Sequence, residues 1–126
     1  MMRRLLFLVV FGLFAVASQA ETNPVERIKV VKGPHFSALS VEGDRLFVTG
    51  FVESEVQVVD TRTLAPVRTF YGGYEPVGIA VTPDGSKLFV TSLNRGLVKA
   101  IDARTFEILD DIKVEGRPSQ VLVSPN

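Results

Sequence analysis

Few residue types in this sequence could do chemistry. His35 is the only histidine and there is no cysteine, so a metal centre within this segment would have no second imidazole and no thiolate. Ser37 and Ser40 have no histidine–aspartate arrangement that could activate them as nucleophiles. Glu53 and Glu75 could form a carboxylate pair, although glutamates in loops are usually only solvated. The sequence therefore predicts no catalytic residue, no metal site and no cofactor in this segment.

The remaining polar and aromatic side chains suit binding better than reaction. The stretch Tyr71-Gly72-Gly73-Tyr74 could form an aromatic rim for a ligand, or a tight loop whose tyrosines pack between structural units. Gly72-Gly73 is not a phosphate-binding loop, since no helix start follows it. We expect ligand contacts from loops at one end of the fold, namely from His35, Phe51, Glu53, Tyr71, Tyr74, Glu75, Asn94, Arg95, Arg117 and Gln120.

The elements that must position these loops repeat every 42 residues. Pro34, Pro76 and Pro118 stand at one phase of the repeat, and residues 45–49 (RLFVT) align with residues 87–91 (KLFVT) without a gap. A period of about 40–45 residues is typical of stacked supersecondary units. Residues that both units share are predicted to be structural, because every unit needs the same turns. These include Gly43 and Gly85, for positive φ, and Asp60 and Asp102, for side-chain capping of a turn.

Each unit is predicted to contain four short strands and no helix. Strands two and three are almost wholly apolar, strand one carries small residues, and strand four is the most polar. This order fits one blade of a β-propeller, with its inner strand at a crowded axis and its outer strand in solvent. The predicted strands are 36–41, 46–49, 55–60 and 67–70 in the first unit, and 78–82, 88–91, 97–102 and 108–114 in the second.

The fold class predicted is all-β, with about two complete four-stranded antiparallel blades of an incomplete ring. The blades would span 34–75 and 76–117, preceded by a leading outer strand at 25–31. Residues 118–126 would begin the next blade, with its first strand at 119–124. Two blades would leave one face of each sheet uncovered, with apolar residues such as Phe47 and Leu88 on those faces, and open edges would favour self-association.

One stretch also carries a family resemblance. Residues 82–91 (TPDGSKLFVT), followed by Val98 and Ile101-Asp102, resemble the YVTN-type β-propeller repeat. Phe89 replaces the usual tyrosine, and Gly50 or Ser92 stands where an asparagine is typical. A TolB-like Pro-Asp-Gly repeat is the competing interpretation, whereas the WD-type repeat would need a tryptophan and a Gly-His pair. The resemblance implies an exported bacterial or archaeal propeller, often seven-bladed, with relatives that bind DNA, haem or surface partners.

The first twenty residues predict a signal peptide, which would place the protein in the periplasm or outside the cell. Arg3 and Arg4 precede an apolar run, and Ser18-Gln19-Ala20 presents small residues for cleavage before Glu21. The alternative, a membrane anchor, would need a longer apolar run of about 20 residues. Cleavage would remove two basic residues and no acid, changing the net charge from zero to −2. That balance argues against a nucleic-acid partner.

Two functions follow from this organisation. In the first, the chain is part of an exported scaffold that binds a protein or small-molecule ligand and does no chemistry in this segment. In the second, it is the N-terminal part of a periplasmic enzyme, an oxidoreductase or a lactonase-like hydrolase, with active-site residues in other blades. The chain itself is expected to be the N-terminal piece of a longer propeller. The alternative is a short protein that completes its ring by oligomerisation.

Overall fold

A computed structural model of the chain describes residues 25–126, so the predicted signal peptide at 1–20 lies outside the described residues. Within them, eight strands form two four-stranded antiparallel sheets, each with its strands in chain order. The first sheet, blade 1, contains β1 (Pro34–Leu39), β2 (Arg45–Gly50), β3 (Glu55–Asp60) and β4 (Pro66–Tyr71). The second sheet, blade 2, contains β5 (Pro76–Val81), β6 (Lys87–Ser92), β7 (Leu97–Asp102) and β8 (Ile108–Lys113).

The observed strand bounds agree with the predicted ones to within two residues. β3 and β7 match fully, whereas β1 and β5 begin two residues early, at Pro34 and Pro76. A proline is tolerated there because β1 and β5 lie at the edge of their sheets, where a missing N–H leaves no ladder bond unmade. Both strands carry a register shift after the proline, between Pro34 and Ser37 in β1 and between Pro76 and Ile79 in β5.

Two segments that were predicted as strands are not strands here. Residues 25–31 and 119–124 have no strand hydrogen bonding in the structure. Both were predicted to pair with strands that are not part of this sequence, and a β-strand needs a partner to form its ladder. The assignment of these segments to further blades stays a prediction.

The two blades bury the apolar faces that they turn toward each other. Phe47, Val56, Val58 and Phe70 from blade 1 form one buried cluster with residues of blade 2, namely Ile79, Leu88, Val90 and Ile101. A buried hydrogen bond of 2.7 Å from Thr49 Oγ1 to the Val77 carbonyl also joins the blades. The expectation that Phe47 and Leu88 would be uncovered is wrong, since 2% and 0% of their surfaces are exposed.

An aromatic side chain from the turn after β7 closes this interface. The Phe106 ring stacks on Phe70 of blade 1, with centroids 4.6 Å apart, and meets Phe47 edge-on at 6.4 Å. The guanidinium of Arg68 also lies over the Phe106 ring, 5.1 Å from its centroid. No helix within residues 25–126 has the length and apolar character needed to cross a bilayer.

Candidate ligand-binding rim

The loops predicted to carry ligand contacts lie together at one end of the two sheets. We call residues 31–35, 50–54, 71–76 and 92–96 the rim. They are the loops that lead into β1 and β5 and the turns between the second and third strands. Backbone hydrogen bonds join them in sequence and fix their spacing. From donor to acceptor, these bonds run from Phe51 to Gly33 (2.9 Å), from Gly72 to Ser54 (3.1 Å) and from Leu93 to Glu75 (3.2 Å). A further bond of 2.9 Å, from Val114 to Gly96, joins the last rim loop to the segment after β8.

In blade 1, the rim is held by an ion pair and by two rings. The backbone N–H of Lys32 donates to the Glu53 carboxylate at 3.2 Å, and the Lys32 ammonium lies 3.8 Å from its other oxygen. The His35 imidazole packs against the Phe51 ring, with centroids 5.2 Å apart. Each pair thus joins two neighbouring loops, although the Lys32 side chain itself is 79% exposed.

In blade 2, the same positions carry different chemistry. The Arg95 guanidinium lies 4.6 Å above the centroid of the Tyr74 ring, and the Asn94 amide donates to the Glu75 carboxylate. Tyr74 and Arg95 stand 42 residues after Lys32 and Glu53. The contact between the two positions is therefore kept, while an acidic turn in one blade becomes a basic turn in the next.

The residues directly beneath the rim contacts also differ between the blades. In blade 1, the Val31 side chain packs onto Gly50, where an added Cβ would lie 2.7 Å from the Val31 Cβ, and the Val31 N–H donates to Gln57 Oε1 at 3.1 Å. The equivalent residues in blade 2 are Gly73, Ser92 and Lys99. Lys99 is 7% exposed and its ammonium lies 2.6 Å from Asp111 Oδ1.

Sequence analysis missed Lys99 because it lies in a strand, and it placed Ser92 in the loop after the second strand without expecting a contact from it. Only loops were searched for differences between the units, although the exchanges of Gly50 for Ser92 and of Gln57 for Lys99 are visible in the aligned sequence. A buried lysine in a strand that is otherwise apolar was the signal. It identifies a position where the second unit departs from the first at a cost in desolvation.

Three residues of the predicted set lie apart from these contacts. Tyr71 is 53% exposed, and its ring faces the Lys99 ammonium at 5.9 Å. Arg117 is exposed and makes none of the side-chain contacts found between the rim residues in the described part of the chain. The Gln120 backbone packs against β5, where a Cβ added to Gly78 would lie 2.9 Å from the Gln120 Cα.

No group of three histidine, cysteine, aspartate or glutamate side chains within residues 25–126 could hold a metal ion.

The opposite end of the sheets carries an open groove of about 460 Å³ between the blades. Three of its four carboxylates, those of Asp44, Asp84 and Asp102, accept hydrogen bonds within their own turns, whereas Glu42 is exposed. Asp84 Oδ1 accepts hydrogen bonds from the Thr82 hydroxyl at 2.6 Å and from the Ser86 N–H and hydroxyl at 3.0 and 2.8 Å. These bonds, the one from Thr82 being the strongest, lower the pKa of Asp84 to about 2. None of the residues predicted to contact a ligand lines this groove.

Asp60 and Asp102 cap the turns after β3 and β7 in the same way. Asp102 Oδ1 accepts from the N–H groups of Thr105 and Arg104, both at 2.8 Å, and these bonds lower its pKa. Asp60 does the same with the N–H groups of Arg62 and Thr63, and its pKa is lowered by them. The hairpin glycines Gly43 and Gly85 both have positive φ, 73° and 74°.

Comparison of the structure with known ones gives β-propeller proteins. The structure is similar to that of hydrazine synthase from Kuenenia stuttgartiensis, with 28% identity and a TM-score of 0.72 over 82% of this chain and 30% of that one. It is similar to apo AztD from Citrobacter koseri, with 18% identity and a TM-score of 0.68 over 79% of this chain and 28% of that one. The β-propeller domain of Swd1 (Cps50) from Myceliophteria thermophila gives 13% identity and a TM-score of 0.64, over 75% and 30%.

These similarities establish the fold: the two sheets are β-propeller blades. No protein-family model and no curated protein matches the sequence. The chain spans less than a third of the length of each of the three similar proteins.

Proposed function

We propose that this chain is part of an exported β-propeller of the YVTN-repeat type whose rim binds a protein or small-molecule ligand. The observation that carries the proposal is the pair of positions that is Lys32–Glu53 in blade 1 and Tyr74–Arg95 in blade 2. Both pairs make contact at the same place in the blade, but the charge of the turn is reversed. Positions that only shape a turn carry the same residue in both blades, as the hairpin position of Gly43 and Gly85 does. Positions that recognise a ligand are expected to differ from blade to blade.

The composition of the rim supports binding. Tyr74 is 46% exposed, and Arg95 stacks on it. Tyrosine and arginine dominate the binding energy of many interfaces because they combine large contact area with directional polar groups. Backbone hydrogen bonds fix the rim loops, and the stacking of Arg95 on Tyr74 orders the two side chains before a ligand arrives, which reduces the ordering cost of binding.

A comparison of ligand binding between rim and groove variants tests the proposal. A library of small molecules and peptides is screened by thermal shift with the purified chain, and each ligand found is titrated by calorimetry. We expect Tyr74→Ala and Arg95→Ala to weaken binding about tenfold or more, the equivalent of about 1.4 kcal/mol. Arg104→Ala, at the opposite end, is the matched control. Ligands that bind the rim variants and the wild type equally, or that are lost only in the control, would contradict the proposal.

A second candidate function is the enzyme part. The similarity at 28% identity to a segment of a hydrazine synthase favours it, although the rim shown here contains no catalytic arrangement that would do the chemistry. In that case the residues described here would position a substrate or a neighbouring subunit. Histidines or acidic clusters in the inner strands of further blades would favour the enzyme. Further blades as uniform as these two would favour the binding scaffold.

We also propose that the open edges permit self-association. β8 is an outer edge strand that is exposed along its whole length, with Ile108, Leu109 and Ile112 exposed by 43%, 51% and 40%. Exposed apolar edge strands offer unpaired backbone groups to another chain. Light scattering against concentration should show association that Leu109→Lys reduces. A monomer at every concentration, in both proteins, would contradict this.

A further inference from the structure

Two buried polar groups lie under the rim loop of blade 2. A Cβ atom added to Gly73 would lie 2.5 Å from the Ser92 hydroxyl and 3.0 Å from the Cδ and Cε atoms of Lys99, so both side chains lie directly beneath this loop. Ser92 is 1% exposed, and its hydroxyl has no hydrogen-bond partner among the described residues. The Lys99 side chain is 9% exposed, and its only ion-pair partner in that part of the chain is Asp111.

Blade 1 shows that the fold does not need these polar groups. Its equivalent layer contains Val31, Gly50 and Gln57, and the one hydrogen bond that Gln57 accepts comes from the Val31 backbone. Burying the Lys99 ammonium costs hydration energy, and its pairing with the Asp111 carboxylate, which is 49% exposed, offsets that cost only in part. An unpaired buried hydroxyl adds a further cost. Packing alone therefore does not account for the lysine and the serine of blade 2.

We propose that Lys99 and Ser92 form a carboxylate-binding subsite beneath the loop 71–75, that the Asp111 side chain pairs with its lysine in the free protein, and that the Ser92 hydroxyl is engaged only when a ligand replaces Asp111. The proposal rests on the proposed function, since the subsite would hold the acidic group of a ligand bound at the rim. Asp111 shows that a carboxylate reaches the Lys99 ammonium, with an oxygen 2.6 Å away. The ammonium can donate to a ligand carboxylate in the same way. The Asp111 carboxylate leaves the Ser92 hydroxyl unpaired, so a bond from that hydroxyl would form only with the ligand, and it belongs to the proposal.

The surroundings of Lys99 allow the exchange. Asp111 lies on the edge strand β8 and its side chain is 49% exposed, so it can turn into solvent without leaving a packed site. Gly73 has a φ of 101°, a conformation that glycine adopts without strain. The exposed ring of Tyr71 lies beside the ammonium, at 5.9 Å, and can cover the organic part of the ligand.

The test is a titration of the chain, labelled with ¹⁵N on its lysine side chains and backbone, followed by NMR. Acetate supplies a free carboxylate, triglycine supplies the end of a peptide, and triglycine amide lacks the charge. We expect saturable shifts of the Lys99 ammonium and of the Gly72 and Gly73 amides with acetate or triglycine, and none with the amide. Tighter binding of triglycine than of acetate would indicate a peptide terminus as the ligand, and the reverse order a small acid.

Variants that exchange residues between the blades separate a binding role from a structural one. Lys99→Gln and Ser92→Gly introduce the residues of blade 1, and we expect the first to abolish the saturable shifts and the second to weaken binding. Asp111→Asn should tighten binding by about tenfold if Asp111 occupies the site for about nine-tenths of the time, because the open fraction rises accordingly. Lys113→Gln, on the same exposed strand, is the matched control and should change nothing.

Two results would overturn the subsite. One is a set of carboxylate shifts that persists in a folded Lys99→Gln variant. The other is a folded Asp111→Asn variant that binds no carboxylate, which would leave Lys99 and Asp111 as a structural pair. Neither result bears on the rim proposal, whose test depends on Tyr74 and Arg95. Conversely, ligands that ignore Tyr74 and Arg95 while acetate still binds at Lys99 would overturn the rim proposal alone.

Discussion

Replacement of Phe106 by alanine should show how strongly the two blades hold each other. The ring belongs to blade 2, but it stacks on Phe70 and meets Phe47 edge-on, both from blade 1. A fully buried phenylalanine costs about 3–5 kcal/mol when cut to alanine. Phe106 is only partly buried, so the cost should be smaller, although its aromatic contacts contribute about 0.5–1.5 kcal/mol each. We expect Phe106→Ala to lower the free energy of unfolding by about 2–3 kcal/mol.

Leu64 provides a matched control for this prediction. It stands 42 residues before Phe106 and has nearly the same backbone, with φ values of 58° and 63°. The N–H of each residue donates, at 2.8 Å, to the carbonyl of the aspartate four residues earlier. Any effect of alanine on the turn itself should therefore be equal in the two variants. We expect Leu64→Ala to cost about 1 kcal/mol, as suits a half-buried leucine without the aromatic contacts.

Urea denaturation, followed by circular dichroism, measures both variants and the intermediate exchange Phe106→Leu. The leucine variant should lie between the wild type and Phe106→Ala, because it keeps apolar volume and loses the ring stacking. Equal losses in Phe106→Ala and Leu64→Ala would refute the reasoning. They would mean that the aromatic contacts across the interface add nothing beyond the turn.

The remaining predictions concern the turns and the N-terminus. Gly85→Val should cost about 1–3 kcal/mol more than Ser86→Ala in urea denaturation, because a β-branched residue resists a φ of 74°; equal midpoints would contradict this. The pKa of Asp84, about 2 in the folded chain and near 3.8 when unfolded, should rise in Thr82→Val, as NMR titration would show. Because the folded pKa is the lower one, the stabilisation from Asp84 is complete above the unfolded pKa and is lost as the pH falls through about 2; an unchanged titration would exclude the Thr82 contact as its cause. Intact-mass analysis of the secreted protein should give a chain that begins at Glu21, whereas a membrane-bound chain that keeps Met1 would contradict cleavage.

Much of the fold could be predicted from the sequence because the repeat supplies each strand twice. The bounds of β3 and β7 came out fully, since Asp60 and Asp102 mark the turn that ends each strand. The starts of β1 and β5 did not, because a proline ordinarily signals that a strand has not yet begun. Its position at the edge of a sheet is a tertiary fact that a local pattern does not contain.

The candidate site could be predicted only in outline. The four-strand architecture determines which loops share an end, and at that end Tyr74 contacts Arg95 and Glu75 contacts Asn94. That these residues contact a ligand stays a prediction. Lys32 was not included, although its equivalent Tyr74 was, because its contact with Glu53 depends on the approach of two segments 21 residues apart in the chain. Lys99 was overlooked because a lysine within a strand is usually on a solvated face, and its burial depends on the Gly73 loop above it.

The free face of blade 2 indicates how the rim would continue around a ring. Phe89 and Ile112 are the equivalents of Phe47 and Phe70, which are buried between the blades at 2% and 8% exposure. Ile112 is instead 40% exposed, so this face is left without the cover that blade 2 gives to blade 1. Another blade docked there would place its own rim loops beside residues 92–96, as blade 2 places its loops beside residues 50–54. A ligand at the rim would then contact turns from successive blades. Because the turn of blade 1 is acidic and that of blade 2 is basic, the distribution of charge on the ligand, rather than the ligand's net charge, would decide binding.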